Sequence, residues 1–289
     1  MNKADFHFHS TYSDGKKTVP ELAKMIQSQA LSVCALTDHN SVDGVLELQH
    51  YLSGSGVQVV PGVELTVKFH DDEIHVLALD FDVEVVREIL QERNDLVRRN
   101  KVIEMKQAIV LSQVAGMRVS KNIFPVEKQP ATLTLALDIC SHESNQQLFL
   151  ERHGKQFMPE DVFYAYQAPG KPCAVERSGV IPEWIVERFS GVAKDLVIAH
   201  PFVSVSVVTK PLDRQRIESL IDIGMTGIEI YHTKTSDEQI ALLQDIVKQR
   251  SLRYSGGSDF HGRDTDPLLG QYGGDRDIVD YALARYGHE

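Results

Sequence analysis

Residues 4–15 read ADFHFHSTYSDG, a short apolar strand pattern that ends in two histidines and a turn. Side chains alternate across a strand with period two, so His7 and His9 project to the same side and can reach one metal ion. The Ser13-Asp14-Gly15 segment has turn composition and can fold the Asp14 carboxylate back over the same strand end. We therefore predict a metal site at the end of the first strand.

Further metal-capable side chains follow at predicted strand-end positions along the chain. The complete candidate set is His7, His9, Asp14, His39, Glu64, His75, His200, Asp259 and His261. A single divalent ion is normally satisfied by three or four protein ligands plus water. Nine imidazoles and carboxylates therefore predict two or three ions in one pocket, which favours hydrolytic chemistry.

Strand-like and helix-like runs alternate in the first and last thirds of the sequence at a period of roughly 25 residues, as is typical of βα units. Thr18 and Glu21 have capping-box spacing at the start of one predicted helix, and Ser236 and Gln239 have it at another. In β/α barrels the reacting groups gather beyond the carboxyl ends of the strands, where most of the candidate ligands are expected. The pattern predicts an α/β barrel.

The middle of the chain differs in composition and periodicity, with charged helical patterns and a loop rich in proline and glycine. We predict a first barrel segment over residues 1–94, a helical insertion that caps the substrate over 95–191, and a second barrel segment over 192–289.

Composition fits an intracellular enzyme, with 42% hydrophobic residues, 25% charged residues and a net charge of −11. The three cysteines lack CxxC spacing, so we expect them to be reduced and structural. The N-terminus has no apolar signal region and no run is long enough to span a membrane, which predicts a cytoplasmic protein. The acidic balance disfavours an extended nucleic acid, whereas a small phosphorylated substrate or a short oligonucleotide remains compatible.

Five motifs in this order resemble those of the PHP (polymerase and histidinol phosphatase) superfamily of metal-dependent phosphoesterases. They are HFHSTYSDG at 7–15, LTDHN at 36–40, PGVE at 61–64, AHP at 199–201 and GSDFH at 257–261. The resemblance implies a distorted (β/α)7 barrel with the helical insertion described above, and an active site at the carboxyl ends of the strands.

The resemblance also implies how the ligands divide among ions. His7, His9 and Asp259 would hold a first ion, and Glu64 would bridge it to a second ion completed by His75 and His200. A third ion would take Asp14, His39 and His261. This mixture of imidazole and carboxylate suits manganese, iron or zinc, and Asp38 and Glu229 have reasonable roles in orienting imidazoles.

Within the superfamily the chain is similar to the branch of nucleoside 3′,5′-bisphosphate phosphatases, RNA 5′-end exonucleases and cyclic phosphate hydrolases. Lys171 matches a basic residue that this branch uses on substrate phosphate. Where the branch usually carries a Gly-Arg-Pro turn, the chain reads Lys128-Gln129-Pro130. Gln129 lacks the guanidinium fork for a second phosphate, which puts a bisphosphate substrate in doubt.

The predicted activity is hydrolysis of a small phosphorylated metabolite by a metal-activated hydroxide that attacks phosphorus. His232 is a candidate for protonating the leaving group and contacting substrate, and Asp38 is a candidate catalytic residue. Hydrolysis of a cyclic phosphate or phosphodiester, or of short RNA from its 5′ end, is an alternative within the superfamily. Outside it, a metal-dependent amidohydrolase and an inactive accessory domain remain open. The sequence does not decide the oligomeric state.

Overall fold

The computed structural model describes residues 3–70, 72–126, 129–176, 178–204, 210–273 and 276–278. The chain divides into two compact units: residues 1–92 with 180–289, and residues 93–179. The second unit thus begins close to the expected start of the insertion, while 180–191 belong to the first unit. The roles assigned to the segments, a barrel and a substrate cap, stay predictions.

The secondary structure is mixed. The strands are, in chain order, β1 (Lys3–Phe8), β2 (Leu31–Leu36), β3 (Gln58–Val59), β4 (Gly62–Phe69), β5 (Asp72–Leu79), β6 (Asp195–Ile198), β7 (Gly227–His232), β8 (Arg253–Gly257), β9 (Gln271–Tyr272) and β10 (Arg276–Asp277). The helices are α1 (Val19–Ser28), α2 (Asp43–Leu52), α3 (Val83–Val114), α4 (Ala131–Ser141), α5 (Glu143–His153), α6 (Pro159–Val162), α7 (Pro182–Phe189), α8 (Arg214–Ile223) and α9 (Asp237–Arg250). A π-helical segment, Phe163–Gln167, follows α6.

The first unit contains a three-stranded parallel sheet in the order β1-β2-β3 and a five-stranded sheet in the order β4-β5-β6-β7-β8. In the larger sheet β5 runs antiparallel to both β4 and β6, whereas β6, β7 and β8 are parallel. Helices α1, α8 and α9 connect parallel neighbours, which is the connection that parallel strands require. The βα rhythm of the sequence is therefore present on both sides of the antiparallel pair.

The expectation of a (β/α)7 barrel is not confirmed. A β/α barrel is built from parallel strands that are each followed by a helix, and β5 breaks this pattern. Among the described residues, the two larger sheets are joined by isolated bridges, Phe8 with Phe260 and His39 with Glu64, rather than by a continuous ladder. The structure therefore shows a mixed α/β fold and no closed barrel.

Apolar residues explain how the first unit packs. The α1 positions Val19, Leu22, Ala23 and Ile26 are buried at helical spacing, and β1 is buried over most of its length. Glu21 accepts the Thr18 amide at 2.8 Å, and Ser236 and Gln239 cap α9 reciprocally, so both predicted capping boxes are confirmed. The strand ends that carry the candidate ligands are consequently fixed by packed elements.

The second unit is helical and has its own core, which includes Met105, Leu135, Ile139 and Phe149. Across the part of the chain that the structure describes, no helix is long and apolar enough to cross a membrane. The three cysteines are free.

Candidate metal centre

The structure brings all nine candidate ligands together within the first unit. Among the described residues they form four overlapping groups, in each of which one nitrogen or oxygen atom per residue lies within 4.8 Å of the others. The groups are His9, Asp14, His39 and His261; His7, Glu64 and His200; His7, His9 and Asp259; and His39, Glu64 and His75. Because neighbouring groups share members, the nine side chains form one continuous cluster.

Most of these residues lie at or just beyond strand ends, but Glu64 and His75 do not. Both lie inside the antiparallel pair of β4 and β5, where Glu64 is paired with Leu77 and His75 with Thr66. The prediction of strand-end positions is wrong for these two residues, because the ladder continues past them on both sides. They reach the cluster from within the sheet.

Two glycines allow backbone segments to approach the cluster closely. A Cβ atom at Gly15 would lie 2.5 Å from the His9 carbonyl oxygen, and one at Gly257 would lie 2.1 Å from the His7 Cβ. The backbones of His200 and Asp259 have positive φ angles of 25° and 54°. Left-handed backbone at residues other than glycine is uncommon and concentrates at functional sites.

Glu64 lies at the centre of the cluster and is only 1% exposed. Its Oε2 atom lies 3.2 Å from Nε2 of His7, 3.2 Å from Nε2 of His9 and 3.1 Å from Nδ1 of His39. Its Oε1 atom lies 2.7 Å from Nδ1 of His75 and 3.0 Å from Nε2 of His200. Five imidazoles therefore surround one carboxylate. Three of them lie at Oε2 and two lie at Oε1.

The contacts around Oε2 fit a metal ion better than hydrogen bonds. Buried Nε2 of His7, Nε2 of His9, Nδ1 of His39 and Oε2 of Glu64 have no hydrogen-bond partner, although the nitrogens lie close to the oxygen. Orphaned buried polar atoms are rare and call for an explanation. Ligands bound at about 2.1 Å to one ion stand roughly 3.0 to 3.4 Å apart in octahedral or tetrahedral geometry. The observed separations match the edges of such a coordination shell.

Asp259 and Asp14 extend the cluster in two directions. Oδ1 of Asp259 lies 3.5 Å from Nε2 of His7 and 3.4 Å from Nε2 of His9. Oδ1 of Asp14 lies 3.2 Å from Nε2 of His261 and 3.8 Å from a ring nitrogen of His9. His9 is thus shared between a buried group with Asp259 and a more exposed group with Asp14.

Burial and opposite charge compete in setting the pKa values of the cluster. Burial raises the pKa of Glu64, but the surrounding imidazoles, His75 and His7 foremost, outweigh burial and hold it well below its usual range. Burial lowers the pKa of His9, whereas the nearby carboxylates of Asp259 and Glu64 outweigh burial and raise it to about 9. At His39 burial dominates and lowers the pKa to about 4. The Glu64 carboxylate is therefore ionised and suited to a cation.

Three carboxylates accept hydrogen bonds from the segments that carry the candidate ligands. Glu229 contacts Nδ1 of His7 at 3.0 Å through Oε1, and its Oε2 accepts the His200 amide at 2.7 Å. Oδ1 of Asp38 accepts the Ser10 amide at 2.8 Å and the Ser13 hydroxyl at 2.5 Å. Its Oδ2 accepts the Ser10 hydroxyl at 2.6 Å, so both oxygens of the predicted catalytic carboxylate are occupied. Glu229 and Asp38 therefore each hold a chain segment that carries candidate ligands.

Asp5 is the third of these carboxylates, and sequence reasoning missed it. It accepts the amides of His7 at 3.1 Å, Ser258 at 3.0 Å and Gly270 at 2.7 Å, and the Ser258 hydroxyl at 2.6 Å. Burial raises its pKa to about 6, against these stabilising hydrogen bonds. An acidic residue inside an otherwise apolar strand was the available signal.

His232 lies buried at the end of β7, with Nε2 3.4 Å from Oδ2 of Asp259. Its Nδ1 accepts the Lys234 amide at 3.2 Å, so the neutral ring carries its proton on Nε2 and faces Asp259. The structure thus places His232 beside the ligand cluster. Its role in proton transfer or substrate binding stays a prediction.

Lys171, the other predicted substrate residue, and Gln129, which replaces the arginine of the branch, belong to the second unit. Lys171 is exposed in the loop after the π-helical segment, where its amide donates to the Ala168 carbonyl at 3.0 Å. Gln129 donates to the Thr134 hydroxyl at 2.9 Å, and Lys128 lies outside the described residues. Both roles stay predictions.

A cleft lies beside the two imidazoles that contact Oε1 of Glu64. His75 and His200 line it together with Pro201, Lys210 and Leu212, all from the first unit.

This chain resembles a known protein family and several characterised proteins in sequence. Residues 5–136 match the family model described as PHP domain. The chain is 25% identical to a 5′-3′ exoribonuclease of Haemophilus influenzae over 259 residues, which is 90% of each chain. It is 27% identical to a 3′,5′-nucleoside bisphosphate phosphatase of Chromobacterium violaceum over 90% of this chain and 88% of the relative.

A solved structure matches the fold over nearly the whole chain. It comes from a candidate metal-dependent phosphoesterase of Bifidobacterium adolescentis and aligns with a TM-score of 0.62 at 20% identity. The alignment covers 98% of this chain and 96% of the other. At this identity the likeness concerns the fold alone.

Proposed function

We propose that this chain, which carries a PHP domain, is a metal-dependent phosphoesterase that hydrolyses a small phosphorylated substrate. The observation that carries the proposal is the convergence of five imidazoles on the two oxygens of buried Glu64. Such a carboxylate can be shared between two cations, and paired cations are the arrangement that phosphoester hydrolysis uses. The relatives that act on phosphate esters support the same reaction class.

The proposed ligand assignment follows the groups in space. His7, His9 and Asp259 form one group, and Glu64 joins it to the pair of His75 and His200. A third group, which contains Asp14, His39 and His261, supports a trinuclear site. Manganese, iron and zinc are all compatible with these nitrogen and oxygen donors. When bound, the ions supply electrostatic stabilisation of phosphate oxygens and an activated water.

The chain's own residues supply the remaining functions. Glu229 fixes the ring of His7 so that Nε2 is available as a ligand atom. His232 carries its proton on the nitrogen that faces Asp259, and this is the position from which it would protonate a leaving alkoxide. Lys171 is proposed to contact substrate phosphate, and Asp38 to position the Ser10 and Ser13 segment rather than to act as an acid or base.

Two substrate classes fit the proposal. A phosphate monoester of a small metabolite is the first, and the 5′ end of a short oligonucleotide is the second, because a relative with 90% mutual coverage is an exoribonuclease. We also place the enzyme in the cytoplasm. We propose that the first unit is an unclosed variant of the (β/α)7 barrel in which β5 runs in the opposite direction.

The test is phosphate release by metal-replete protein from a matched set of esters. The set contains a nucleoside 3′,5′-bisphosphate, nucleotide and sugar monoesters, a cyclic phosphate coupled to a phosphatase, and a 5′-phosphorylated trinucleotide. We expect manganese-dependent release from at least one ester, together with two or three ions per chain by elemental analysis. Ions bound in that number without release from any ester would contradict the proposal and favour an amidohydrolase or an inactive domain.

A further inference from the structure

The Asp14 carboxylate faces two chemically different neighbours. Its Oδ1 atom lies 3.2 Å from Nε2 of His261 and 3.8 Å from Nε2 of His39. Its Oδ2 atom accepts from Nη2 of Arg263 at 3.3 Å. One oxygen therefore joins the ligand group, and the other holds a guanidinium at the edge of that group.

Arg263 has more donors than this contact uses. A guanidinium carries five N–H donors, and the Arg263 side chain is 48% exposed. Arg214, by contrast, donates through Nε, Nη1 and Nη2 to Glu218, Asp245 and Gln249. Within the described part of the chain, Asp14 is the side chain that accepts from Arg263, which leaves donors for an incoming anion.

The loop that carries Arg263 is held in place by its backbone. Asp266 accepts the His261 amide at 2.7 Å and the Arg263 amide at 2.9 Å through the same oxygen. The Lys16 amide donates to the His261 carbonyl at 2.7 Å, which ties the Asp14 turn to this loop. Arg263 is therefore positioned by fixed segments.

The surrounding charges favour a short-range contact over long-range attraction. Lys16 and Lys17 neighbour the loop, because a Cβ atom at Gly262 would lie 3.4 Å from Lys16 Cβ and 3.0 Å from Lys17 Cγ. Asp14, Asp264 and Asp266 offset these lysines and Arg263 in formal charge. An anion would therefore be recognised by direct hydrogen bonds, for which the planar guanidinium fork suits phosphate.

We propose that Arg263 is a specificity-determining residue that binds a second phosphate of the substrate, next to the phosphate that reacts. Asp14 lies between the guanidinium and the imidazoles, so Arg263 meets a group beside the ligand cluster rather than at its centre. The favoured substrates are then esters that carry a second phosphate or phosphodiester. This inference rests on the proposed function.

The test compares adenosine 5′-monophosphate with adenosine 3′,5′-bisphosphate in wild-type protein and in Arg263→Gln, Arg263→Lys and Arg250→Gln variants. Arg250 is the matched control, since it also pairs with an aspartate, Asp222. We expect Arg263→Gln to lower kcat/KM for the bisphosphate about 10- to 100-fold, mainly through KM, as for loss of a charge-assisted hydrogen bond. Arg263→Lys should give a kcat/KM for the bisphosphate between those of wild type and Arg263→Gln. In Arg263→Gln the loss should be larger for the bisphosphate than for the monophosphate. The Arg250→Gln control should leave metal content and kcat/KM for both nucleotides near wild type.

Several results would overturn the inference. One is an equal loss on both substrates with reduced metal content, which would show that Arg263 only positions Asp14. Another is a bisphosphate KM that Arg263→Gln leaves unchanged, and a third is a wild-type protein that hydrolyses only the monophosphate. If neither nucleotide is hydrolysed, the proposed function fails for nucleotides, and calorimetric binding of both to the same variants tests Arg263 by itself. Equal affinities of wild type and Arg263→Gln for the bisphosphate would then contradict the inference.

Discussion

The His200 backbone amide donates to Oε2 of buried Glu229 at 2.7 Å. The other oxygen of Glu229 contacts Nδ1 of His7 at 3.0 Å. One carboxylate therefore fixes both the segment after β6 and the ring at the end of β1. A ligand imidazole is oriented by the partner of its second nitrogen. We therefore propose that Glu229 orients His7 to bind a metal through Nε2.

Replacing Glu229 by glutamine should weaken metal binding. The amide can accept only through one atom, so either the His7 ring or the His200 amide loses its partner. We expect metal affinity to fall about 10- to 100-fold, as for other partners of metal ligands. Competition with a fluorescent chelator measures this, with the half-buried Glu218→Gln on α8 as the control. Wild-type affinity in Glu229→Gln would contradict the role assigned to Glu229.

Replacing Glu64 by glutamine tests the shared carboxylate directly. Glutamine keeps the shape but removes the charge and one of the two acceptor oxygens, so fewer ions should be held. We expect at least one ion per chain to be lost and phosphate release to fall by about 10²-fold or more. Elemental analysis and the phosphate assay measure both quantities. Glu73→Gln, an exposed change in β5, should leave both near wild type.

Removing the metal should destabilise the protein. The orphaned nitrogens of His7, His9 and His39 and Oε2 of Glu64 are buried without hydrogen bonds in the absence of an ion. A ligand that binds only the folded state stabilises it by about 4 kcal/mol when present at 1,000 times its Kd. We expect a chelator to lower Tm and added manganese to restore it in scanning fluorimetry. A Tm insensitive to both treatments would contradict a metal site at these atoms.

The sequence was sufficient to predict which side chains would meet in the cluster, because their chemistry is local. A His-x-His pair on a strand, a turn aspartate and histidines after apolar runs can each be identified without knowing the fold. The division of these side chains among individual ions was predicted from the family resemblance, not from their spacing in the sequence. Asp5 escaped notice because an isolated carboxylate in a strand gives no periodic signal, and three of its four hydrogen-bond donors come from the distant residues Ser258 and Gly270.

The direction of β5 could not be predicted from the sequence. Its apolar residues read the same in a parallel and in an antiparallel ladder, and period-two alternation does not distinguish them. The short link between β4 and β5, which end and begin at Phe69 and Asp72, was the available signal. A parallel neighbour would need a crossover of a dozen or more residues. Link length therefore decides this part of the topology.

Gly257 packs directly against His7, so replacing it by alanine should both destabilise the fold and weaken metal binding. The new Cβ would lie 2.1 Å from Cβ of His7 and 2.9 Å from Oε1 of Glu229. Relief of this clash requires β1 and β8 to separate, which should lower the free energy of unfolding by about 3 kcal/mol or more. The same movement displaces His7, so metal affinity should fall as well.

Gly54→Ala is the control, because that glycine has φ of +75° but open space around it. This substitution should lower the free energy of unfolding by about 1 to 2 kcal/mol and leave metal affinity unchanged. Urea unfolding of metal-free protein and chelator competition separate the two variants, and equal metal affinity in both would show that His7 tolerates the displacement.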